Sequence, residues 1–282
     1  MSNFIENETL FNEFEDYATK NVIPFFSKEM RKNFEIYFCE LNEWNKKFNL
    51  ILFKNIRDLV YRHFCDSLYS AKAISDILTA YQLSVASSFF LSLKSKRKRE
   101  DANRKQKSTE NAIKIADLGT GSGMPGIPVK IALPGIKLTL IESITKKCRF
   151  LNNANNKLGF NIEILNKRAE EIGQNPAYRQ QYDFILSRAV SKLSPNLEIS
   201  IPLLKTGGYF IVHKTKKSAE SSKDGFPSAE NALEHLGAKL EQIIYYNLPE
   251  HESDYCLLIF KKYKDTPANF PRKSGIPEKK PL

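Results

Sequence analysis

The chain is poor in the residues that build covalent or metallic cross-links. Four cysteines, four histidines, three methionines and one tryptophan are spread over 282 residues. Cys39, Cys65, Cys148 and Cys256 form no C-x-x-C pair, and the histidines form no H-E-x-x-H. These spacings exclude the common zinc and dithiol signatures, so no metal is expected. Scattered thiols suit a reducing compartment. The opening MSNFIENETLFNEFED is acidic, the wrong charge for a secretory leader. A cytoplasmic location follows as the expectation. Long apolar runs are missing as well. The candidate span, residues 77–93, is seventeen residues long and carries Gln82 and five Ser or Thr residues. That is slightly short and too polar for a bilayer, so a buried helix is expected there and no membrane association.

An acidic excess is also absent. Lys and Arg number 43 against 32 acids, a net +11, which invites nucleic acid as a partner. The surplus is not spread evenly. Residues 94–107 carry eight basic and two acidic residues, and residues 261–282 carry seven and two. The body between them is close to neutral. Any specific RNA contact there must use particular side chains, and the two basic segments read as appendages. The stretch 94–111, KSKRKREDANRKQKSTEN, has no apolar periodicity and reads as a mobile insert. It precedes the first strand, away from the carboxyl ends, and is expected to raise general RNA affinity without choosing the base. The closing FPRKSGIPEKKPL is punctuated by Pro and Gly and is expected to form no regular element.

What is present is a change of rhythm. Ser27 is a candidate N-cap for a helix carrying Phe34, Tyr37, Phe38, Leu41 and Trp44 at three- and four-residue spacings. Phe4, Leu10, Phe11, Phe14 and Tyr17 suggest an earlier helix. From residue 112 short β-rich runs take over: AIKIADL, IKLTLIE, FNIEIL, YDFILS and GYFIVH. Residues 145–158 and 192–204 are long enough for crossover helices. The alternation predicts an α/β fold with a parallel sheet. Two further runs, 240–246 and 256–260, have no helix between them and predict an antiparallel pair at the sheet's end. Organisation follows: a helical region over 1–93, the insert over 94–111, an α/β core over 112–264 and a basic tail over 265–282.

The segment ADLGTGSGMPGIP (116–128) carries the chemistry. Gly121, Gly123 and Gly126 spell the dinucleotide pattern G-x-G-x-x-G. Asp117 with Gly119, Gly121 and Gly123 spells D-x-G-x-G-x-G, the first motif of S-adenosylmethionine-binding enzymes. Asp117 separates the two. A carboxylate at the mouth of the loop repels a pyrophosphate and attracts the ammonium of a methionine moiety, directly or through water. Glu142 lies 19 residues after Gly123 at the tip of the next strand, placed to hold ribose hydroxyls. It would serve NAD equally.

Further pieces extend the match: WNKKFNL (44–50), RHFCDSL (62–68), ESITKKCRFL (142–151), KRAEE (167–171), SRAV (187–190), HK (213–214) and PRKSGIPEKKPL (271–282). With the PGIP that follows the glycines, they resemble the bacterial 16S rRNA guanine-N7 methyltransferases, also called glucose-inhibited division protein B. The resemblance implies a Rossmann-like class I methyltransferase with a mostly parallel seven-stranded sheet and an N-terminal helical extension. The implied cofactor is S-adenosyl-L-methionine. The implied acceptor is N7 of a guanine in the 530 loop, guanine 527, and the partner is 16S rRNA or the small ribosomal subunit. The basic insert is not part of the family pattern.

The resemblance also implies residue roles. Asp117, Gly119, Gly121, Gly123, Met124, Glu142, Ala169, Glu170 and Arg188 would bind the cofactor, with Glu170 accepting from the adenine amine. Met124 serves equally well as a core plug, and Arg188 could also reach RNA. Arg168 and Lys214 could contact phosphates. His63 and Asp66 look reactive but are expected to brace the N-terminal helices against the sheet. No general base is needed, because guanine N7 has a lone pair and no proton to lose. A nicotinamide oxidoreductase and a nonenzymatic RNA-binding protein are the competing readings.

Overall fold

The computed structural model describes residues 2–24, 26–95, 112–188, 192–222 and 224–282. The helices α1 (Ser2–Asn21) and α2 (Lys28–Asn45) come first. The short α3 (Ile56–Asp58) then runs through a π-helical stretch, Leu59–Cys65, into α4 (Asp66–Ser95). The alternating part follows: β1 (Lys114–Leu118), α5 (Gly126–Ala132), β2 (Lys137–Ile141), α6 (Thr145–Leu158), β3 (Glu163–Leu165), α7 (Ala169–Gln174), β4 (Tyr182–Arg188), α8 (Leu193–Ser200) and β5 (Leu204–Thr215). Two small helices, α9 (Lys216–Ala219) and α10 (Glu230–Leu236), lead to β6 (Ala238–Tyr246), β7 (Tyr255–Lys262) and α11 (Ile276–Lys279).

The sheet has seven strands in the order β3-β2-β1-β4-β5-β7-β6. The first five are parallel, and β7 runs antiparallel to both neighbours. This is the class I methyltransferase arrangement. β1 shows why the sequence folds so: after Lys114, every residue of KIADL is buried, the pattern of a central parallel strand covered on both faces. The strands divide their side chains between two apolar clusters. Ile115, Leu140, Phe184, Leu186 and Ile211 pack with the aromatics of α1, α2 and α4. Ala116, Ile141, Ile185, Phe210 and Val212 pack under α8 and α10. On the first face Phe14 meets Phe34 at 5.0 Å and Phe11 meets Phe38 at 5.5 Å, both edge-on. The Ser27 cap forms as expected, its Oγ accepting from Met30 N at 3.1 Å.

Two expectations fail. Residues 77–93 do lie within a helix, but its first part is not buried: Ile77 and Leu78 are half-buried and residues 79–83 are exposed, Tyr81 by 68% and Leu83 by 64%. Among the described residues no helix is long and apolar enough to cross a membrane. Nor is the basic end of the chain an appendage. Phe270, Pro271 and Pro277 are buried, α11 adds one helical turn, and Lys262 is fully buried between strands and α8. Composition cannot show this, because Arg272 and Lys262 are compensated by groups far away in sequence: Glu198 for the first, the Ile201 and Leu204 carbonyls for the second. The bulk of the insert expected at 94–111 lies outside the described residues.

Candidate active site at the carboxyl edge of the sheet

The glycine-rich turn leaves β1 and feeds α5. Gly119, Gly121 and Gly123 have φ of 63°, 60° and 94°, a region costly for side chains with a Cβ. At Gly123 a Cβ would also lie 2.8 Å from the Tyr37 hydroxyl. That hydroxyl donates to the Ser122 carbonyl at 2.5 Å, tying α2 to the turn.

The turn spends its own amides. Gly119 and Thr120 donate to Ile141 O, and Gly123 and Met124 donate to Thr120 O. Gly121 N donates to Glu142 Oε2 at 3.0 Å, and Gly126 N to Asp117 Oδ2 at 2.8 Å. Position 125 is proline and has no amide to give. A phosphate cradle needs such amides aimed outward; here carboxylates and carbonyls of the chain take them.

Asp117 is fully buried. Thr120 Oγ1 donates to its Oδ2 at 2.6 Å, while Oδ1 is buried with no partner. Burial pushes its carboxyl up to about 7, against the Thr120 and Gly126 hydrogen bonds and the Arg188 charge; nearby Glu142 adds to the rise. An unpartnered buried carboxylate oxygen calls for a cationic donor. Glu142, also buried, accepts from Ile144 N at Oε1, 2.8 Å away. Met124 is 3% exposed and belongs to the core, its Sδ 3.7 Å from Ser67 Oγ.

Two cavities open near the carboxyl ends of the strands, and the first borders this turn. One, of about 270 Å³, is lined by Gly119, Ile141, Arg168, Ala169, Glu170 and part of the closing segment. The other, of about 320 Å³, is lined by Arg62, His63, Asp66, Arg188, His213 and Lys214, among others. The structure therefore separates Arg168 from Lys214, which the sequence grouped, and puts Arg188 beside Lys214 rather than beside Glu170.

The second cavity stands on a buried network that the sequence indicated only in part. Arg188 and His213 are register partners on β4 and β5. Arg188 Nη1 lies 3.1 Å from Asp66 Oδ2, and Nη2 donates to His63 Nδ1 at 2.7 Å. His63 Nε2 reaches the Leu52 carbonyl at 3.1 Å, so it carries the ring's proton. Burial, helped by Arg188, pushes His63 down to about 3; it is neutral at pH 7. His213 sits between Asp66 Oδ2 at 3.1 Å and Ser70 Oγ at 2.6 Å. Tyr246 donates to Asp66 Oδ1 at 2.5 Å. Burial pushes the Asp66 carboxyl up, but His213, Arg188 and Tyr246 outweigh it and hold it below the usual range. His63 and Asp66 thus join the N-terminal helices to the sheet. His213 and Tyr246 are the members that sequence reasoning missed; the HK pair at 213–214 was the one available signal. Among the described residues no cluster fits a metal ion.

Comparison with known proteins agrees with this architecture. Residues 30–87 and 102–243 match the GidB family profile, described as rRNA small subunit methyltransferase G. The gap at 88–101 overlaps the basic insert. A ribosomal RNA small subunit methyltransferase G from Lysinibacillus sphaericus is 36% identical, covering 91% of this chain and 92% of that protein. The same-named protein from Alkaliphilus oremlandii is 38% identical, covering 86% of each. Among solved structures, the Methanococcus jannaschii fibrillarin pre-rRNA processing protein is 22% identical at a TM-score of 0.43, covering 54% of this chain and 68% of that one. On the extent of the profile match and the near-full-length identity to its relatives, the chain belongs to the rRNA small subunit methyltransferase G family, a family of rRNA methyltransferases.

Proposed function

We propose that the protein transfers the methyl group of S-adenosylmethionine to N7 of a guanine in the 530 loop of 16S rRNA. The observation that carries this is the electrostatic character of the glycine turn: the amides of Gly119, Thr120, Gly121, Gly123, Met124 and Gly126 are taken by the chain, and the turn holds two buried carboxylates. Such a turn suits a cationic amino acid and repels a pyrophosphate, which weighs against the nicotinamide reading. Asp117 would attract the ammonium, directly or through water. Glu142, whose two oxygens each hold one amide, keeps lone pairs for ribose hydroxyls. The Gly119–Glu170 cavity would take the adenosine half, with Glu170 accepting from the adenine amine.

When bound, S-adenosylmethionine supplies an electrophilic methyl group. The chain's task is then alignment and exclusion of water. Arg188 is clamped by Asp66 and His63 and presents a fixed guanidinium to the second cavity, where the guanine would enter. Lys214 and Arg62 on its rim suit flanking phosphates. Because N7 has no proton, no residue need act as a base. The histidines fit that requirement: His63 is neutral and each ring is held by partners inside the protein.

The test is transfer of tritiated methyl from S-adenosylmethionine to small-subunit rRNA, followed by identification of the modified base. Label at N7 of a guanine in the 530 loop is the expected result. Absence of transfer, or label on another atom, overturns the reading.

A further inference from the structure

Residues 271–282 carry four basic residues, yet the segment is anchored to the fold, with Pro271 and Pro277 buried. Gly275, Pro277 and Glu278 line the same 270 Å³ cavity as Ile141, Ala169 and Glu170. Gly275 N donates to Glu170 Oε1 at 2.9 Å. Gly275 holds φ at 80° to aim that amide, a backbone angle that few residues other than Gly and Asn adopt cheaply.

The segment is fastened from two helices. Glu198 of α8, fully buried, accepts from both the backbone N and Nε of Arg272 at 2.8 Å. Arg272 Nη2 reaches Glu198 Oε2 at 2.5 Å and the Lys280 carbonyl at 2.8 Å. From α7, Gln174 Nε2 donates to Pro271 O at 2.5 Å. A Cβ on Gly173 would sit 2.7 Å from Pro271 Cγ, so the contact there is close. The bidentate Arg272–Glu198 pair commits the Nε–Nη2 edge of that guanidinium to the protein interior.

We infer that this segment is a wall of the adenosine pocket and that the Gly275 amide positions Glu170 for the adenine amine. This rests on the proposed assignment of that cavity to S-adenosylmethionine. The Gly275 hydrogen bond fixes one carboxylate oxygen of Glu170, a residue that lines the cavity. Pro277 and Ile141 supply apolar surfaces that suit the faces of a flat ring.

The test uses full-length variants and two ligands in calorimetry: S-adenosylhomocysteine, and 5′-methylthioadenosine, which lacks the amino acid. Gly275→Pro deletes the donated N–H and forbids the positive φ. It is expected to weaken both ligands by the same factor, about tenfold, the scale of one hydrogen bond to a charged group. Gly275→Asn keeps the amide, tolerates the left-handed backbone and meets nothing within 4 Å at its Cβ, so it is expected to restore most of that affinity. A folded Gly275→Pro protein that binds both ligands like wild type overturns the inference. So does wild-type protein whose amides at 276–280 exchange no more slowly with S-adenosylhomocysteine bound, a readout independent of how the variants fold. Wild-type protein that binds neither ligand removes the cofactor assignment itself, which is a different failure.

Discussion

The two cavities at the sheet edge are made in opposite ways. Beside the glycine turn, the polar groups are backbone amides and carboxylates that are near in sequence: Asp117 holds Gly126, and Glu142 holds Gly121. Distant contributions to its lining come from Pro195 and Ile199 of α8 and from the segment that carries Gly275. The cavity on the other face is made of side chains brought from far apart: Asp66 meets Arg188 across 122 residues and Tyr246 across 180. The first leaves a carboxylate oxygen waiting for a cation; the second compensates every buried charge internally and offers cations at its rim. Under the proposed function a cationic small molecule and a polyanion would be received at separate cavities of one edge.

The comparison can be broken most severely at Asp66. Asp66→Ala strips Arg188 and His213 of their shared anion and is expected to cost about 3–5 kcal/mol of stability, as for other broken buried pairs. Urea unfolding at pH 7 measures this. The native carboxyl lies below its ordinary 3.8, so its stabilisation is present above that value and is lost as pH falls through the native one. The gap between Asp66→Asn and wild type should therefore close in acid. Asp117 has the opposite sign. Its carboxyl is raised from 3.8 to about 7, so the native state holds the extra proton and stability falls as pH climbs through that window. A bound ammonium relieves that cost. Affinity for S-adenosylmethionine should rise through about pH 7 in wild type and stay flat in Asp117→Asn, which should bind about 1–3 kcal/mol more weakly at pH 8. Calorimetry at several pH values decides it.

The smallest effect sharpens the division of labour. Lys214→Ala should lower the slope of log affinity for rRNA against log salt by about one and leave S-adenosylmethionine binding alone. Arg168→Ala, which borders the other cavity, should weaken both ligands. Filter binding for RNA and calorimetry for the cofactor separate the two. Equal behaviour of the two variants would erase the distinction between the faces.

What the sequence discloses is what neighbours determine. The run AIKIADL, the glycines behind it and the crossover helix at 145–158 are each set by periodicity and backbone freedom within a few residues. The network was only half legible. His63 and Asp66 stand out as a polar pair in RHFCDSL, but nothing local says that His213 and Tyr246 complete it. The closing segment misled for the same reason. Arg272 looks like a solvated charge until Glu198, 74 residues away, is folded against it. Residues 77–83 misled in the other direction: the run reads as buried, but residues 79–83 of α4 are exposed.

The consumed amides of the glycine turn bear on a problem of cellular chemistry. ATP carries the same adenosine as S-adenosylmethionine and differs in what hangs from the ribose. A protein that recognised only adenosine would be occupied by ATP. Here a triphosphate entering the turn meets no outward amide from Gly119, Thr120, Gly121, Gly123 or Met124 and approaches the buried carboxylates of Asp117 and Glu142. Like-charge repulsion in a low-dielectric setting is expensive. On the proposed assignment of S-adenosylmethionine to this site, the turn would act as a charge filter against the commonest adenosine compounds, by hydrogen bonds the protein makes to itself.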